Sequence, residues 1–296
     1  MKQRLITSAV GIPLLFAVLY LYNTVVFDIV LLAACLLGFY EAFRAFGLKH
    51  AVGLYVPVGI LTAVSFLGTA LGLPGFVSVQ ERGLSGRILA FAFVAVLVVF
   101  TLRNFQKVDI AKMAGALLLC ALLFFCFGTV LWLKALLPFE NYGYLGAFIL
   151  VLSLAYAWGG DSFAYFAGRA FGKRKLCPNI SPNKTVAGAV GALVGSMVFG
   201  LLFLWLFEIV MPVLQPHAVL TVPGWIYAAA AVAGIPASLL GMGGDLFASC
   251  VKRQAGIKDY SNLIPGHGGM LDRFDSMIVV APLVEALLII IPVAVR

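Results

Sequence analysis

The sequence predicts an all-α, polytopic integral membrane protein, and two observations support this fold class. Hydrophobic residues make up 63% of the chain and charged residues only 11%, whereas soluble domains carry roughly 25% charged residues. The apolar residues also form long continuous runs, unlike the short alternating strands of membrane barrels. Because every backbone polar group in lipid must pair within its own segment, each run is predicted to be a helix.

Nine runs approach the length that a helix needs to cross the hydrocarbon core, about 20 residues. They cover residues 5–22, 25–41, 51–73, 88–102, 110–136, 144–167, 186–212, 225–251 and 276–295. The weakest of these predictions are 25–41, which Asp28 interrupts, and 88–102, which is short. We assign residues 1–143, with about five spans, to an N-terminal helical region, and residues 144–296, with about four spans and two polar loops, to a C-terminal region.

The distribution of basic residues predicts the orientation of the spans. Lys and Arg near span ends favour the cytoplasm, and a nine-span arrangement places most of the 20 Lys and Arg residues on the side of the N-terminus. The exceptions are Arg82, Arg87, Lys134 and Arg296. We therefore expect a multi-pass inner-membrane protein with a cytoplasmic N-terminus and an external C-terminus. The net charge of +8 then reflects a basic face against the lipid bilayer. No nucleic-acid partner is expected, because the loops are too short for a soluble basic domain.

The first polar segment, residues 158–188, begins inside the sixth predicted span. Asp161 lies in an apolar run, where a carboxylate is costly and marks a polar cavity or a partner. On a helix, Asp161, Tyr165 and Arg169 share one face. Ser181 and Lys184 follow in a loop, and hydroxyls and lysines near glycines suit phosphate oxygens. A solvated loop on the basic side of the membrane explains these charges equally well.

The second polar segment, residues 241–276, leads from the eighth span into the ninth. Asp245, Ser249 and Lys252 fall on one helical stripe, and Asp272 and Asp275 lie where the ninth span begins. If the two helices pack side by side, Asp245 and Asp272 converge beside basic residues. Such carboxylates suit Mg²⁺, or another divalent cation, that bridges to substrate phosphates. The alternative is a structural ion-pair network that closes the ends of the two helices.

The spacing of these residues resembles the signature of phosphatidate cytidylyltransferases, also called CDP-diacylglycerol synthases. The match comprises Ser249-x-x-Lys252-Arg253, Lys258-Asp259 and His267-Gly268-Gly269-x-x-Asp272-Arg273-x-Asp275. Upstream, the segments Asp161-Ser162-Phe163-Ala164-Tyr165 and Ser181-Pro182-Asn183-Lys184-Thr185 resemble a second block of the family. The resemblance covers the C-terminal half of the chain. The chain departs from the family pattern, and we assign no role, at Asn183, Val186, Ala187 and Ala248.

The resemblance implies transfer of CMP from CTP to phosphatidic acid, giving CDP-diacylglycerol and pyrophosphate, at the cytoplasmic ends of helices six to nine. The predicted catalytic residues are Asp245, Asp272, Lys252 and Arg273. The predicted substrate-binding residues are Ser181, Lys184, Ser249, Arg253, Lys258, His267, Gly268 and Gly269. The glycines are included because their backbone N–H groups can approach a ligand closely. The predicted metal ligands are Asp245, Asp272, Asp275 and Asp161.

Two other functions are compatible with the sequence. An ion-coupled transporter would use intramembrane acids, and the chain contains Asp28, Asp161, Glu208 and Glu285. No internal repeat of the kind found in transporters is evident, however, and Asp28, Glu208 and Glu285 equally suit a structural role as hydrogen-bonding groups. A related CTP-dependent membrane enzyme, either a polyprenol kinase or a CDP-archaeol synthase, would share the nucleotide substrate but not the complete signature.

A stripe of small residues lies within the seventh predicted span. Small side chains let membrane helices approach one another closely. The stripe therefore predicts either a close helix contact within the chain or the interface of a homodimer. It comprises Gly188, Gly191, Gly195 and Gly200.

Overall fold

The computed structural model describes residues 2–48, 51–76, 79–215, 222–263 and 268–290. Within these residues, seven helices are long and apolar enough to cross a membrane, and two shorter apolar helices cover Ala9–Tyr20 and Met277–Leu287. The predicted class, an all-α multi-pass membrane protein, is confirmed at this level. The count of nine spans, the orientation of the termini and the inner-membrane location stay predictions.

The chain forms helices along most of its length. In order they are α1 (Lys2–Tyr20), α2 (Val25–Ala45), α3 (Val52–Ala70), α4 (Val79–Asn104), α5 (Ile110–Leu136), α6 (Phe139–Tyr142), α7 (Leu145–Phe171), α8 (Val186–Leu214), α9 (Gly224–Gln254), α10 (Leu271–Phe274) and α11 (Met277–Ile290). They belong to two compact units, one of Met1–Leu131 with Ala255–Arg273 and the other of Trp132–Gln254 with Phe274–Arg296. The division at residue 143 stays a prediction.

The first unit packs α2 against α3 and α3 against α4. Its core contains aromatic and aliphatic side chains that are almost fully buried, among them Phe39, Leu54 and Phe66. Gly38 of α2 lies against the Leu123 side chain of α5, in space that a methyl group would fill. Residues Ala255–Arg273 return to this unit although they follow α9 in sequence.

The second unit is built around the contact between α7 and α8. Tyr156 of α7 donates a hydrogen bond to the Ala230 carbonyl of α9 at 2.7 Å, and Ser196 of α8 donates to the Tyr156 carbonyl at 2.8 Å. Both bonds are buried, so they satisfy polar groups that would otherwise be costly in an apolar core. Helix α11 packs on both α7 and α9, and its Val280 and Val284 complete the core.

The glycine stripe of α8 is occupied by α7 of the same chain. A Cβ atom on Gly191 would lie 2.8 Å from the Phe163 carbonyl oxygen, and one on Gly195 would lie 2.5 Å from the Gly159 carbonyl oxygen. Gly188 likewise faces α7, at the Ala164 carbonyl. The close-packing prediction is therefore confirmed. Helix α7 thus occupies the face on which these glycines lie, and the homodimer stays a prediction.

A small antiparallel hairpin between α7 and α8 is absent from the all-α prediction. Its strands are β1 (Lys175–Cys177) and β2 (Ser181–Thr185). The hairpin leads directly into α8, where the Thr185 hydroxyl accepts a hydrogen bond from the Gly188 N–H at 3.1 Å. Such an N-cap stabilises a helix by about 1 kcal/mol. The hairpin therefore sets Lys184 immediately before the first turn of α8.

Glu208 joins α8 to the segment that leads into α9. Its carboxylate accepts hydrogen bonds from the Tyr227 hydroxyl and, at 3.1 Å, from the Val222 N–H. These bonds favour a structural role for Glu208 over a role in ion transport. Asp28 and Glu285 are buried, with 2% and 3% of their surface exposed, and their roles stay predictions.

Candidate active site

An ion pair between Lys184 and Asp245 links the hairpin to α9. The Lys184 Nζ atom lies 2.6 Å from Asp245 Oδ2, and both side chains are largely buried. Ser249, one turn further along α9, donates a hydrogen bond to Asp245 Oδ1 at 3.3 Å. Within the described residues, no acceptor meets the buried ammonium at hydrogen-bonding angles, so its attraction to Asp245 is chiefly electrostatic. The structure thus brings together three of the predicted site residues.

Two glycines of α9 bring this helix close to the start of α11. A Cβ atom on Gly244 would lie 2.5 Å from the Asp275 carbonyl oxygen, and one on Gly241 would lie 3.2 Å from Val280. Asp245 follows Gly244 directly, and its carboxylate acts electrostatically on Asp275 in the turn before α11. This turn precedes α11 and lies outside the apolar helices.

The surroundings of Asp275 disfavour its ionised form. Burial, and next the neighbouring Asp245 carboxylate, raise the pKa of Asp275 to about 7. Asp161 acts in the same direction, while Lys252 and the Ser276 N–H oppose the shift. Two other predicted metal ligands, Asp245 and Asp161, therefore act electrostatically on Asp275. Carboxylates that repel one another in a partly buried place favour a bound cation.

The carboxylates around Asp275 fit a divalent cation whose remaining ligands come from the substrate. The described residues contain no group of three His, Cys, Asp or Glu side chains arranged around a metal position, so they form no cage made of protein alone. Mg²⁺ is typically held by one or two carboxylates together with water and substrate phosphates. Asp245 and Asp275 meet that requirement, since they are oxygen donors whose mutual repulsion a cation would relieve.

Asp272, the other principal predicted metal ligand, accepts hydrogen bonds from the segment between α9 and α10 in the first unit. Its Oδ2 atom accepts hydrogen bonds from the Tyr260 N–H at 2.9 Å and the Gly269 N–H at 3.0 Å. Gly268 beside it adopts a φ of +85°, a conformation that favours glycine. The Gly269 N–H is thereby engaged within the loop and is not offered to a ligand. The predicted pairing of Asp272 with Asp245 stays a prediction.

Sequence reasoning missed Glu41 on α2. Its carboxylate accepts hydrogen bonds from the Ser261 hydroxyl at 2.5 Å, the Met270 N–H at 2.9 Å and the Leu271 N–H at 2.8 Å. One signal was available, because an acid at the end of an apolar run is costly and needs partners. Nothing in the sequence identifies partners 220 or more residues away.

The remaining predicted catalytic and substrate-binding residues differ in exposure. Arg253, Lys258 and Arg273 are exposed, whereas Ser181 and Lys252 are half-buried. The exposed basic side chains are accessible to a phosphate group from the solvent. His267 lies outside the described residues. Ala248, one of the departures from the family pattern, is buried on α9.

Comparison with known proteins identifies this protein as a membrane-embedded nucleotidyltransferase. The model of the cytidylyltransferase family matches residues 2–291. The phosphatidate cytidylyltransferase of Bacillus subtilis is 31% identical over 97% of both chains, and that of Pseudomonas aeruginosa is 34% identical over 97% of both. That of Haemophilus influenzae is 32% identical over 95% of this chain and 96% of its own. The chain belongs to the cytidylyltransferase family, so the resemblance seen in its sequence is confirmed.

Proposed function

We propose that the protein transfers CMP from CTP to phosphatidic acid, giving CDP-diacylglycerol and pyrophosphate, at the cytoplasmic face of the inner membrane. The observation that supports this most directly is the Lys184–Asp245 ion pair beside Asp275 in a chain of this family. An ammonium and two carboxylates that lie near one another suit the binding of a phosphate chain and a cation. Membership of an enzyme family disfavours the transporter alternative.

The reaction asks mainly for positioning and charge neutralisation. An oxygen of the lipid phosphate attacks the α-phosphorus of CTP, and the bond from that phosphorus to the β-phosphate oxygen breaks as pyrophosphate leaves with the electron pair. A phosphomonoester has a second pKa of about 6, so the nucleophile is already largely ionised near neutral pH. No strong general base is needed. Lys and Arg side chains that hold the two anionic reactants in line can supply much of the rate enhancement.

The second unit offers residues for both tasks. Lys184 and Lys252 would hold phosphate oxygens, with Arg253 and the hydroxyls of Ser181 and Ser249 beside them. Asp245 and Asp275, supported by Asp161, would hold Mg²⁺ or a similar divalent cation. Such a cation, when bound, neutralises charge that develops on the phosphates. The assignment of Lys258, Asp272 and Arg273 to the same reaction stays a prediction from the sequence.

A product assay tests the proposal. Purified protein in detergent, given labelled CTP, phosphatidate and Mg²⁺, should form labelled CDP-lipid that thin-layer chromatography resolves. Labelled polyprenol phosphate as product would support the kinase alternative instead, and absence of turnover would contradict the proposed reaction. A parallel assay with an ether-linked archaeal lipid acceptor distinguishes the remaining alternative, because preferential use of that acceptor would identify a CDP-archaeol synthase.

Matched Asp-to-Asn variants test the role of the acid cluster. Asp245→Asn should lose transfer activity and also lose the rise in melting temperature that Mg²⁺ gives the wild type through binding to the folded state. Asp109→Asn is the control, because Asp109 caps the start of α5 through the Ala111 N–H at 2.9 Å and Asn caps helices equally well. Equal stabilisation of Asp245→Asn and wild type by Mg²⁺ would contradict the assignment of Asp245.

A further inference from the structure

Two carboxylates hold one short turn of the first unit. The turn, Gly269–Leu271, offers three consecutive backbone N–H groups. Asp272 accepts from the first of them at 3.0 Å, and Glu41 accepts from the second and third at 2.9 and 2.8 Å. A carboxylate that accepts several backbone hydrogen bonds in a buried place is a strong anchor, because such charge-assisted bonds are about twice as strong as neutral ones. We call Glu41, Asp272 and the turn the loop clamp.

The same two carboxylates also accept hydrogen bonds from Tyr260 and Ser261, which precede the turn in sequence. Glu41 accepts from the Ser261 hydroxyl at 2.5 Å, and Asp272 accepts from the Tyr260 N–H at 2.9 Å. Each carboxylate therefore joins the start of the loop to its end. Glu41 is 2% exposed and Asp272 is 8% exposed, so water competes little for these bonds. The placement of Ser261, Met270 and Leu271 consequently depends on a side chain from α2.

The carboxylates of Glu41 and Asp272 explain why glycine occupies positions 268 and 269. A Cβ atom on Gly269 would lie 2.6 Å from both carboxylate oxygens of Glu41, and one on Gly268 would lie 2.9 Å from Asp272 Oδ2. A larger residue at either position would have to displace the facing carboxylate from the backbone N–H groups that it accepts from. The Gly268-Gly269 pair, assigned from the sequence to substrate binding, thus has a structural reason that needs no ligand.

We infer that Glu41 is a positioning residue for the transfer reaction, acting through the loop that carries Lys258, Asp272 and Arg273. This inference rests on the proposed function. Glu41 itself is buried and accepts hydrogen bonds from Ser261, Met270 and Leu271, so its contribution is to hold these residues in one conformation. A displacement of about 1 Å in a group that binds substrate can cost roughly 100-fold in rate.

Hydrogen exchange tests the loop clamp without reference to activity. In Glu41→Ala, amides in peptides that cover residues 268–272 should exchange at least about 10-fold faster than in the wild type, because two of their acceptors are lost. Glu208→Gln is the matched control, since it removes a carboxylate that also accepts from a hydroxyl and a backbone N–H but lies in the second unit. It should leave exchange at 268–272 unchanged. Unchanged exchange in Glu41→Ala would overturn the clamp.

A double-mutant cycle tests the contact between Glu41 and Gly269. Gly269→Ala should lower the melting temperature of the wild type, because its methyl group meets the carboxylate. In the Glu41→Ala background the same substitution should cost less, because the obstacle is gone. Equal effects in both backgrounds would mean that the two residues do not interact, and would overturn the geometry on which the inference depends.

Turnover then tests the positioning role. With wild type forming CDP-lipid, Glu41→Ala should lower kcat about 100-fold, with a smaller effect on KM for CTP. Glu41→Gln, which keeps an acceptor oxygen, should lose about 10-fold, and Ser261→Ala should lose less. If Glu41→Ala cannot be purified folded, these two milder variants carry the test. Wild-type turnover in Glu41→Gln or Glu41→Ala, despite faster exchange in the loop, would overturn the role. Absence of turnover in the wild type would instead overturn the proposed reaction, while the exchange and melting results would still decide the clamp.

Discussion

Lys184, the last residue but one of the β-hairpin, forms a 2.6 Å ion pair with Asp245 on α9. The contact joins the two polar segments that stand out in the sequence, although the whole of α8 separates them along the chain. Both side chains are less than a third exposed, so screening by solvent is limited. The pair shows that Lys184 and Asp245, one residue from each segment, lie at one place in the second unit.

Replacement of Lys184 by an uncharged side chain should impair transfer strongly. Lys184→Met leaves Asp245 beside Asp275 without its cation and removes a group aimed at phosphate, so the initial rate with labelled CTP should fall by about 100-fold or more. Lys184→Arg keeps the charge and should retain more activity. Lys107→Met, at an exposed lysine of the first unit, is the control. A rate for Lys184→Met equal to that of Lys107→Met would contradict the assignment.

Neutralisation of Asp275 should stabilise the metal-free protein while lowering its activity. The pKa of Asp275 in the fold, about 7, lies above its ordinary value of 3.8, so the folded state binds the proton more tightly than the unfolded state. Stability should therefore fall as pH rises from about 4 to about 7. Asp275→Asn removes this loss. With EDTA present, its melting temperature should exceed that of wild type at pH 8, with a smaller difference at pH 5.5. A lower melting temperature at pH 8 would contradict this account.

Two neighbouring glycines of α9 should respond oppositely to alanine. In Gly244→Ala the added methyl group meets the Asp275 carbonyl oxygen, and such overpacking typically costs about 1–3 kcal/mol. It should also move Asp245 away from Asp275 and reduce transfer activity. Gly243 faces open space, so Gly243→Ala should stabilise by about 0.5–1 kcal/mol through helix propensity. Thermal melting and initial rates of the two variants measure the contrast, and similar behaviour of both would contradict the close approach of α9 and α11.

Substitution in the glycine stripe of α8 should damage the fold rather than dissociate subunits. Gly195→Ala places a methyl group against α7, so the melting temperature should drop by an amount that corresponds to about 1–3 kcal/mol. Gly128→Ala, at a helical glycine with open space around it, is the control. Size-exclusion chromatography with light scattering should find the same subunit number in both variants. A specific loss of oligomers in Gly195→Ala would instead support the homodimer interface considered from the sequence.

The sequence by itself determined the class of fold, the helical segments and the family. Helices were predictable because lipid offers the backbone no hydrogen-bonding partner, so apolar length alone decides the structure of a segment. The predicted runs 110–136 and 186–212 correspond closely to Ile110–Leu136 and Val186–Leu214. The prediction was poorer for the run 88–102, since the helix begins at Val79. There, Arg82 and Ser85 donate to the carbonyls of the preceding turn, which allows polar residues to begin an apolar helix.

Only the tertiary structure decided which side chains meet. The Lys184–Asp245 pair, the occupation of the glycine stripe by α7 and the grip of Glu41 on Gly269–Leu271 each join residues that are distant in sequence. The physical reason is that hydropathy is a local property of a segment. An ion pair, a hydrogen-bonded carboxylate or a close contact at a glycine depends instead on a neighbour that is brought near by tertiary packing. Glu41 shows this most plainly, because in sequence it is one acid at the end of an apolar run, and in the fold it holds the loop that carries Asp272.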